Sequence, residues 1–275
     1  MFKKTLSALV ITATMAGAAN AQKIAVVKGQ KLETTASTKT VMEVMGQNMD
    51  MQNTATSAIE VKDVTDNGFL FANTLKRMVI NSTIMGNDVN FDSDKKEDMD
   101  GQVGQSMKDK IGKTDEVTVD KQGKVIEIRG STEQAAGGMN DMMNMSNMLA
   151  KGQPYPILIQ LPGRAVKLGD SWTDSSGTPA TIKTVTTYTL KQIDGGAIFV
   201  TFAGTLVKNG TIEQQGMEIQ MDITGDVKGD ATYDASTGLL KNNNTVSDIK
   251  GTLGVMGQNA PLTMKVTVST VAKKL

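Results

Sequence analysis

Methionine is the residue whose number and spacing first suggest chemistry in this chain. There are 19 of them, and Met139-x-x-Met142 and Met145-x-x-Met148 set thioethers at the spacing a soft ion such as Cu(I) would use. Two other uses fit the same residues. Methionine fills irregular gaps where aromatic side chains are few, and it makes adaptable apolar surfaces that can cover a groove. The second group is acidic: Asp92, Asp94, Glu97, Asp98 and Asp100 offer oxygen ligands for a hard cation. Lys95 and Lys96 interrupt that run and no glycine stands where a calcium loop needs one, so a solvated loop is the expectation. The third group is Gly169-Asp170-Ser171-Trp172, which holds the single tryptophan. A glycine turn, a carboxylate capping local backbone and a buried indole account for it without a ligand.

The missing residues narrow the function further. Without histidine or cysteine the chain has no imidazole base, thiolate nucleophile, disulfide or His/Cys metal site. Carboxylate pairs can cleave glycosides unaided, but only 4% of the residues are aromatic, too few for a sugar cleft. Lysine with serine is the remaining nucleophile pair, and Ser106-Met107-Lys108 has the wrong spacing for it. The expectation is a non-enzyme without a cofactor. With 29 basic residues against 29 acidic ones, and arginine only at 77, 129 and 164, nucleic acid is not an expected partner.

Residues 1–21 read as an address. Lys3 and Lys4 precede an apolar run from Leu6 to Ala18, and Ala19-Asn20-Ala21 supplies a small-x-small cleavage signature. That run is too short to span a bilayer, and nothing later resembles a transmembrane segment. The expected mature protein is 22–275, periplasmic or extracellular.

The elements that must position these residues are strands. Met217-Glu218-Ile219-Gln220-Met221-Asp222-Ile223 alternates strictly, as do Met264 to Val268 and Val117-Thr118-Val119. Period two means one buried and one wet face, as in an antiparallel sheet. Turn signals fall at Asp66-Asn67-Gly68, Lys121-Gln122-Gly123, Asp194-Gly195-Gly196, Lys208-Asn209-Gly210 and Ser236-Thr237-Gly238. The spacing predicts long, bent strands, a short amphipathic helix over 101–112 and a Met-rich helix over 132–151. A helix and Pro-rich connector, 131–168, joins two β-rich halves, 22–130 and 169–275, in one domain. The halves look like repeats: Val61-Lys62-Asp63-Val64 with Phe71 to Leu75 parallels Leu190-Lys191-Gln192-Ile193 with Phe202 to Leu206. One echo is out of order, Val44-Met45-Gly46-Gln47-Asn48 returning as Val255-Met256-Gly257-Gln258-Asn259.

The signal peptide, the stretch Val117 to Gly130, Pro162 with Val166-Lys167-Leu168-Gly169-Asp170-Ser171-Trp172, and Tyr233-Asp234-Ala235-Ser236-Thr237-Gly238-Leu239-Leu240 occur together. As a set they resemble a domain-of-unknown-function family of secreted Gram-negative bacterial proteins. Its sheet plan is similar to the periplasmic lipoprotein-carrier half-barrel. That resemblance implies a curved antiparallel sheet with one or two short helices on its concave face and an apolar cavity, and it brings no catalytic residues.

Three roles follow. The first is non-enzymatic binding of an apolar or lipid-like ligand in the concavity, with Met139, Met142, Met143, Met148, Trp172, Met217, Ile219 and Met221 as candidate walls. The second is an envelope structural or protein-interaction module with no small ligand, and the third is Met-based Cu(I) binding. The leader makes one prediction independent of these. Expressed in a Gram-negative host, the protein should have the intact mass of a chain starting at Gln22, and recovery of residues 1–21 from the exported fraction would refute the cleavage site.

Overall fold

The computed structural model describes residues 23–84, 86–130, 149–177, 182–214, 217–255 and 258–275. The expected Met-rich helix therefore lies almost wholly outside the described residues.

The alternating segments form twelve strands: β1 (Lys31–Val44), β2 (Gln47–Thr65), β3 (Gly68–Ile84), β4 (Asn87–Asp92), β5 (Thr114–Asp120), β6 (Val125–Arg129), β7 (Ser171–Ser176), β8 (Lys183–Asp194), β9 (Ala197–Gln214), β10 (Met217–Asp234), β11 (Leu240–Val255) and β12 (Gln258–Lys274). All belong to one antiparallel sheet in the order β6-β5-β3-β2-β1-β12-β11-β10-β9-β8-β7, with β4 also on β3. The two halves meet where β1 pairs with β12 from Leu32↔Lys274 to Val44↔Leu262.

Two hairpins of the halves share a detail. Register shifts between Val61 and Asp63 opposite β3 and between Leu190 and Gln192 opposite β9, so Lys62 and Lys191 are bulged residues at matching places. The out-of-order echo is also explained. Met45 and Gly46, with φ of 54° and 72°, are the two turn residues between β1 and β2, which suits a type I′ hairpin. The repeated segment likewise falls between two paired strands, β11 ending at Val255 and β12 beginning at Gln258.

One expected turn is not a turn. Lys208-Asn209-Gly210 runs through the middle of β9, and the chain reverses only between Gln214 and Met217. The helix expected over 101–112 is two short pieces, α1 (Lys96–Asp100) and α2 (Gln102–Met107), broken at Gly101. They follow β4, and neither supplies a side chain to a core cluster. The part of the apolar face that is covered is covered instead by irregular chain, which Pro154, Pro156 and Pro162 keep from forming a helix.

Curvature comes from glycines on the apolar face. A Cβ at Gly204 would overlap the Val185 carbonyl oxygen, one at Gly229 the Asn244 oxygen, and one at Gly251 the Asp222 oxygen. At Gly225 it would stand 2.8 Å from Ile249 Cγ1. Neighbouring backbones approach this closely only where the sheet curls hard toward that face. Gly251→Ala should therefore lose about 1–3 kcal/mol, read as a lower urea midpoint. Gly163→Ala, with nothing within 4 Å of its Cβ, should stay within about 0.5 kcal/mol of wild type. Equal midpoints for the two variants would mean that the glycines do not set the curl.

Candidate functional site

The apolar face divides into two clusters, and they are filled differently. One, the plugged end, gathers Ile59, Val61, Phe69, Phe71, Val117, Val119, Leu190, Ile198 and Val200 from the strands around chain from outside the sheet. That chain is Ile24 and Val26 near the start, and Tyr155, Ile157, Leu158, Ile159 and Val166 of the connector. The connector is tied down by backbone bonds: Tyr155 N–H to Gly123 O at 2.8 Å, Ile159 N–H to Gly238 O at 2.9 Å and Leu240 N–H to Ile157 O at 2.9 Å. Buried Gln160 donates to the Gly123 and Leu158 carbonyls at 3.2 and 3.1 Å.

The connector also closes the seam between the sheet's two edges. Gln153 accepts the Val125 N–H of β6 at 2.9 Å through its backbone, and its side-chain oxygen accepts the Ser176 hydroxyl of β7 at 2.7 Å. Beside it Lys124 Nζ meets Asp174 Oδ1 at 2.6 Å, with side chains 32% and 22% exposed. The edges of the open sheet are thus pinned together at this end and only here among the described residues.

The second cluster is built from strands alone. Met42, Leu206, Ile219, Met221, Ile223, Ile249, Leu253, Leu262, Met264, Val266 and Val268 are all apolar-face residues of β1 and β9 to β12. Among the described residues no segment from outside the sheet lies over them except Ile182, just before β8. Register makes their arrangement explicit. Met49, Met42, Met264, Ile249, Gly225 and Leu206 stand opposite one another in a single cross-strand row. The next row toward the β1–β2 hairpin is Val44, Leu262, Gly251, Ile223 and Lys208. This curled wall is called the trough below.

Between plug and trough lies a mixed layer. Trp172, Tyr188, Phe202, Gly229, Thr245, Val268, Thr38 and Asn53 form one row. Trp172 stacks on Tyr188 at 5.7 Å and 18°, and Tyr188 leans on Phe202 at 6.0 Å. Trp172 Nε1 and Asn53 Oδ1 are buried with no hydrogen-bond partner among the described atoms.

The walls expected from sequence are thus only partly brought together. Ile219 and Met221 share the trough at 4% and 2% exposure, whereas Trp172 belongs to the plugged cluster. Met217 is the first residue of β10, opposite Gln214, and its side chain lies outside the described part. Met139, Met142, Met143 and Met148 also lie outside the described residues. Three further methionines of the trough, Met42, Met264 and the half-buried Met49, are not among the walls expected from sequence. Period two marks them as buried, but only the register sets them side by side.

The carboxylates are structural. Arg77 donates to both Asp92 oxygens, at 3.1 and 2.7 Å, and holds that carboxyl down to about 2. Arg77 also reaches Asp94 at 3.0 Å, so the acidic run ends in an ion pair. Burial pushes the Asp234 carboxyl up, but donors from Ser236 and Thr237 outweigh it and leave it below the ordinary range. Asp170 is lowered by the Lys167 N–H and by Arg164, which makes the Gly-Asp-Ser-Trp motif a turn lock. Among the described residues no three acidic groups are placed to hold a metal ion.

A depression of about 830 Å³ is lined by Met42, Met264, Ile249, Gly225 and Leu206 of the Met42 row together with their neighbours along the strands, Val41, Glu43, Asp226, Lys250 and Lys265 among them.

Residues 144–240 match a family of unknown function, DUF6263. The stretch runs from the connector through β7, β8, β9 and β10 to the start of β11. No curated protein matches. Lipovitellin, in a structure titled for lipid–protein interactions, is similar over 90% of this chain at 9% identity and a TM-score of 0.52. The chain spans about 25% of lipovitellin's length, and the likeness is one of fold. An outer-membrane channel from Pseudomonas putida F1 also matches over 90% of this chain and 97% of its own, at 7% identity and a TM-score of 0.28. The β domain of the Bordetella autotransporter Brka covers 90% and 100% at 8% identity and 0.29. No helix among the described residues is long and apolar enough to cross a membrane.

The seam gives this site its own prediction. In a double-mutant cycle of Lys124→Met and Asp174→Asn, the coupling should be about 1 kcal/mol, at the upper end for an ion pair that solvent still reaches. A coupling near zero would show that the edges are not held by this pair.

Proposed function

We propose that the protein is an exported, non-enzymatic carrier that holds an apolar or lipid-like ligand against the apolar face of its trough. The observation that carries the reading is the difference between the two clusters. One end of the curled sheet is filled by chain from outside it, whereas among the described residues the trough is lined by strands with only Ile182 added from outside them. Among the described residues the sheet's edge strands, β6 and β7, do not pair with each other. Met42, Met221 and Met264 line the trough, and their unbranched side chains change rotamer at low cost as walls part. Lipovitellin, whose title names lipid–protein interactions, carries a similar sheet and supports the same use.

The energetics permit it. Each buried methylene contributes about 0.8 kcal/mol, so ten offset the lost freedom of a bound ligand with affinity to spare.

The mixed lining of the depression favours a second reading, an envelope protein-interaction module. Its mixture of Glu43, Asp226, Lys250 and Lys265 with Val41 suits a polar protein surface. One experiment separates the two. Native mass spectrometry of the mature protein from its own host, followed by organic extraction, should reveal one lipid-sized molecule per chain. The wild type should also take up a fluorescent fatty acid at one equivalent. Empty protein that takes up no probe removes the carrier reading and leaves the interaction module.

A further inference from the structure

The trough carries a single charged side chain among its described apolar-face positions, Lys208 of β9. Alternation puts it inward: Leu206 and Lys208 share the face on which Ile223 and Leu262 stand in the same row. Its exposure is 9%, against 0% for Ile223 opposite. Gly210, two residues on along the same face, has nothing within 4 Å of its Cβ position and leaves space beside the lysine stem. The position is also a boundary, because β8 pairs with β9 only as far as Lys183↔Val207. Among the described residues, Lys208 therefore lies just beyond the end of the β8–β9 pairing, at the side of the trough. Burial lowers its pKa, the cost expected for a cation held beside apolar walls.

Resting on the carrier reading, we infer that the ligand is an amphiphile with a carboxylate head. The head pairs with Lys208 at the side of the trough, and the acyl chain runs inward past Leu206 and Ile249 toward Met264 and Met42. Charge complementarity selects the head: a cation in a low-dielectric wall attracts an anion far more strongly than it would in water. The apolar side chains of its own and the adjacent row suit an acyl chain. Lys208 already takes part in an interaction within the chain, which the carboxylate would join or exchange with.

A competing role is available. An inward-pointing charge on an edge strand also guards against edge-to-edge pairing. The test compares cis-parinaric acid with its methyl ester on the mature wild type and on Lys208→Met, which keeps the stem length and apolar contact. The wild type should bind the acid at least about tenfold more tightly than the ester, and Lys208→Met should bind both equally, at the ester's affinity. The variant should melt at or above the wild-type temperature, since a desolvated charge is replaced by an apolar group. Equal affinity of acid and ester for the wild type would overturn the inference and leave the carrier reading standing. If neither probe binds the wild type, the carrier reading itself fails. If Lys208→Met self-associates but keeps its preference for the acid, Lys208 is an edge guard and the inference is wrong. Loss of binding only to phosphatidylglycerol vesicles would reassign the cation to a membrane surface and refute the carboxylate ligand.

Discussion

Twelve strands present their apolar residues on the same side of one sheet, and among the described residues no second sheet stands against them. That face can be removed from water only by curling the sheet around it or by laying chain across it. Curling needs backbones closer than side chains usually allow, and so Gly204, Gly225, Gly229 and Gly251 stand on the inward positions of β9, β10 and β11. Each gives up packing surface and chain entropy in exchange for approach. The sharpest curl therefore falls on the second half of the chain, and the first half supplies the opposing wall through β1 and β2.

Laying chain across the face solves the problem at one end. The connector and the start of the described chain bring Tyr155, Leu158 and Ile159 onto the strands and use Gln153 and Gln160 to satisfy backbone groups there. With the edges pinned by Lys124 and Asp174, that end is as filled as a small barrel. The trough has no such filling among the described residues. A sheet rigid at one end and free-edged at the other can open its far end without breaking the core, since local opening draws on the least-tied contacts.

Strand positions and the wet and buried faces were legible in sequence because alternation is a local property. Met217 to Ile223 reads correctly from period alone. Register is not local. That Met49, Met42 and Met264 are neighbours follows from three strands far apart in the chain, and no window of sequence shows it. Turns were legible where an Asp or Asn with glycine ends a strand, as at Asp66-Asn67-Gly68. The Met45-Gly46 turn was not, because methionine at φ 54° is an uncommon choice for a hairpin. The single tryptophan was expected beside Ile219 and Met221, but β7 lies two strands beyond β9 at the sheet's edge and hands its indole to the plug.

Lys208-Asn209-Gly210 was misread for a physical reason. A lysine on the inward phase of a strand contradicts the pattern on both sides of it, and a turn is the usual way to dissolve such a contradiction. Here the strand continues, so the contradiction is real and the fold carries its cost in desolvation. A polar replacement on the outward phase, at Asn209 for instance, would cost nothing of the kind. Sequences that violate their own patterning at one inward position gain nothing in stability from doing so, and such positions are where function is expected. An anionic head beside that charge would turn the least favourable residue of the trough into the one that discriminates between ligands.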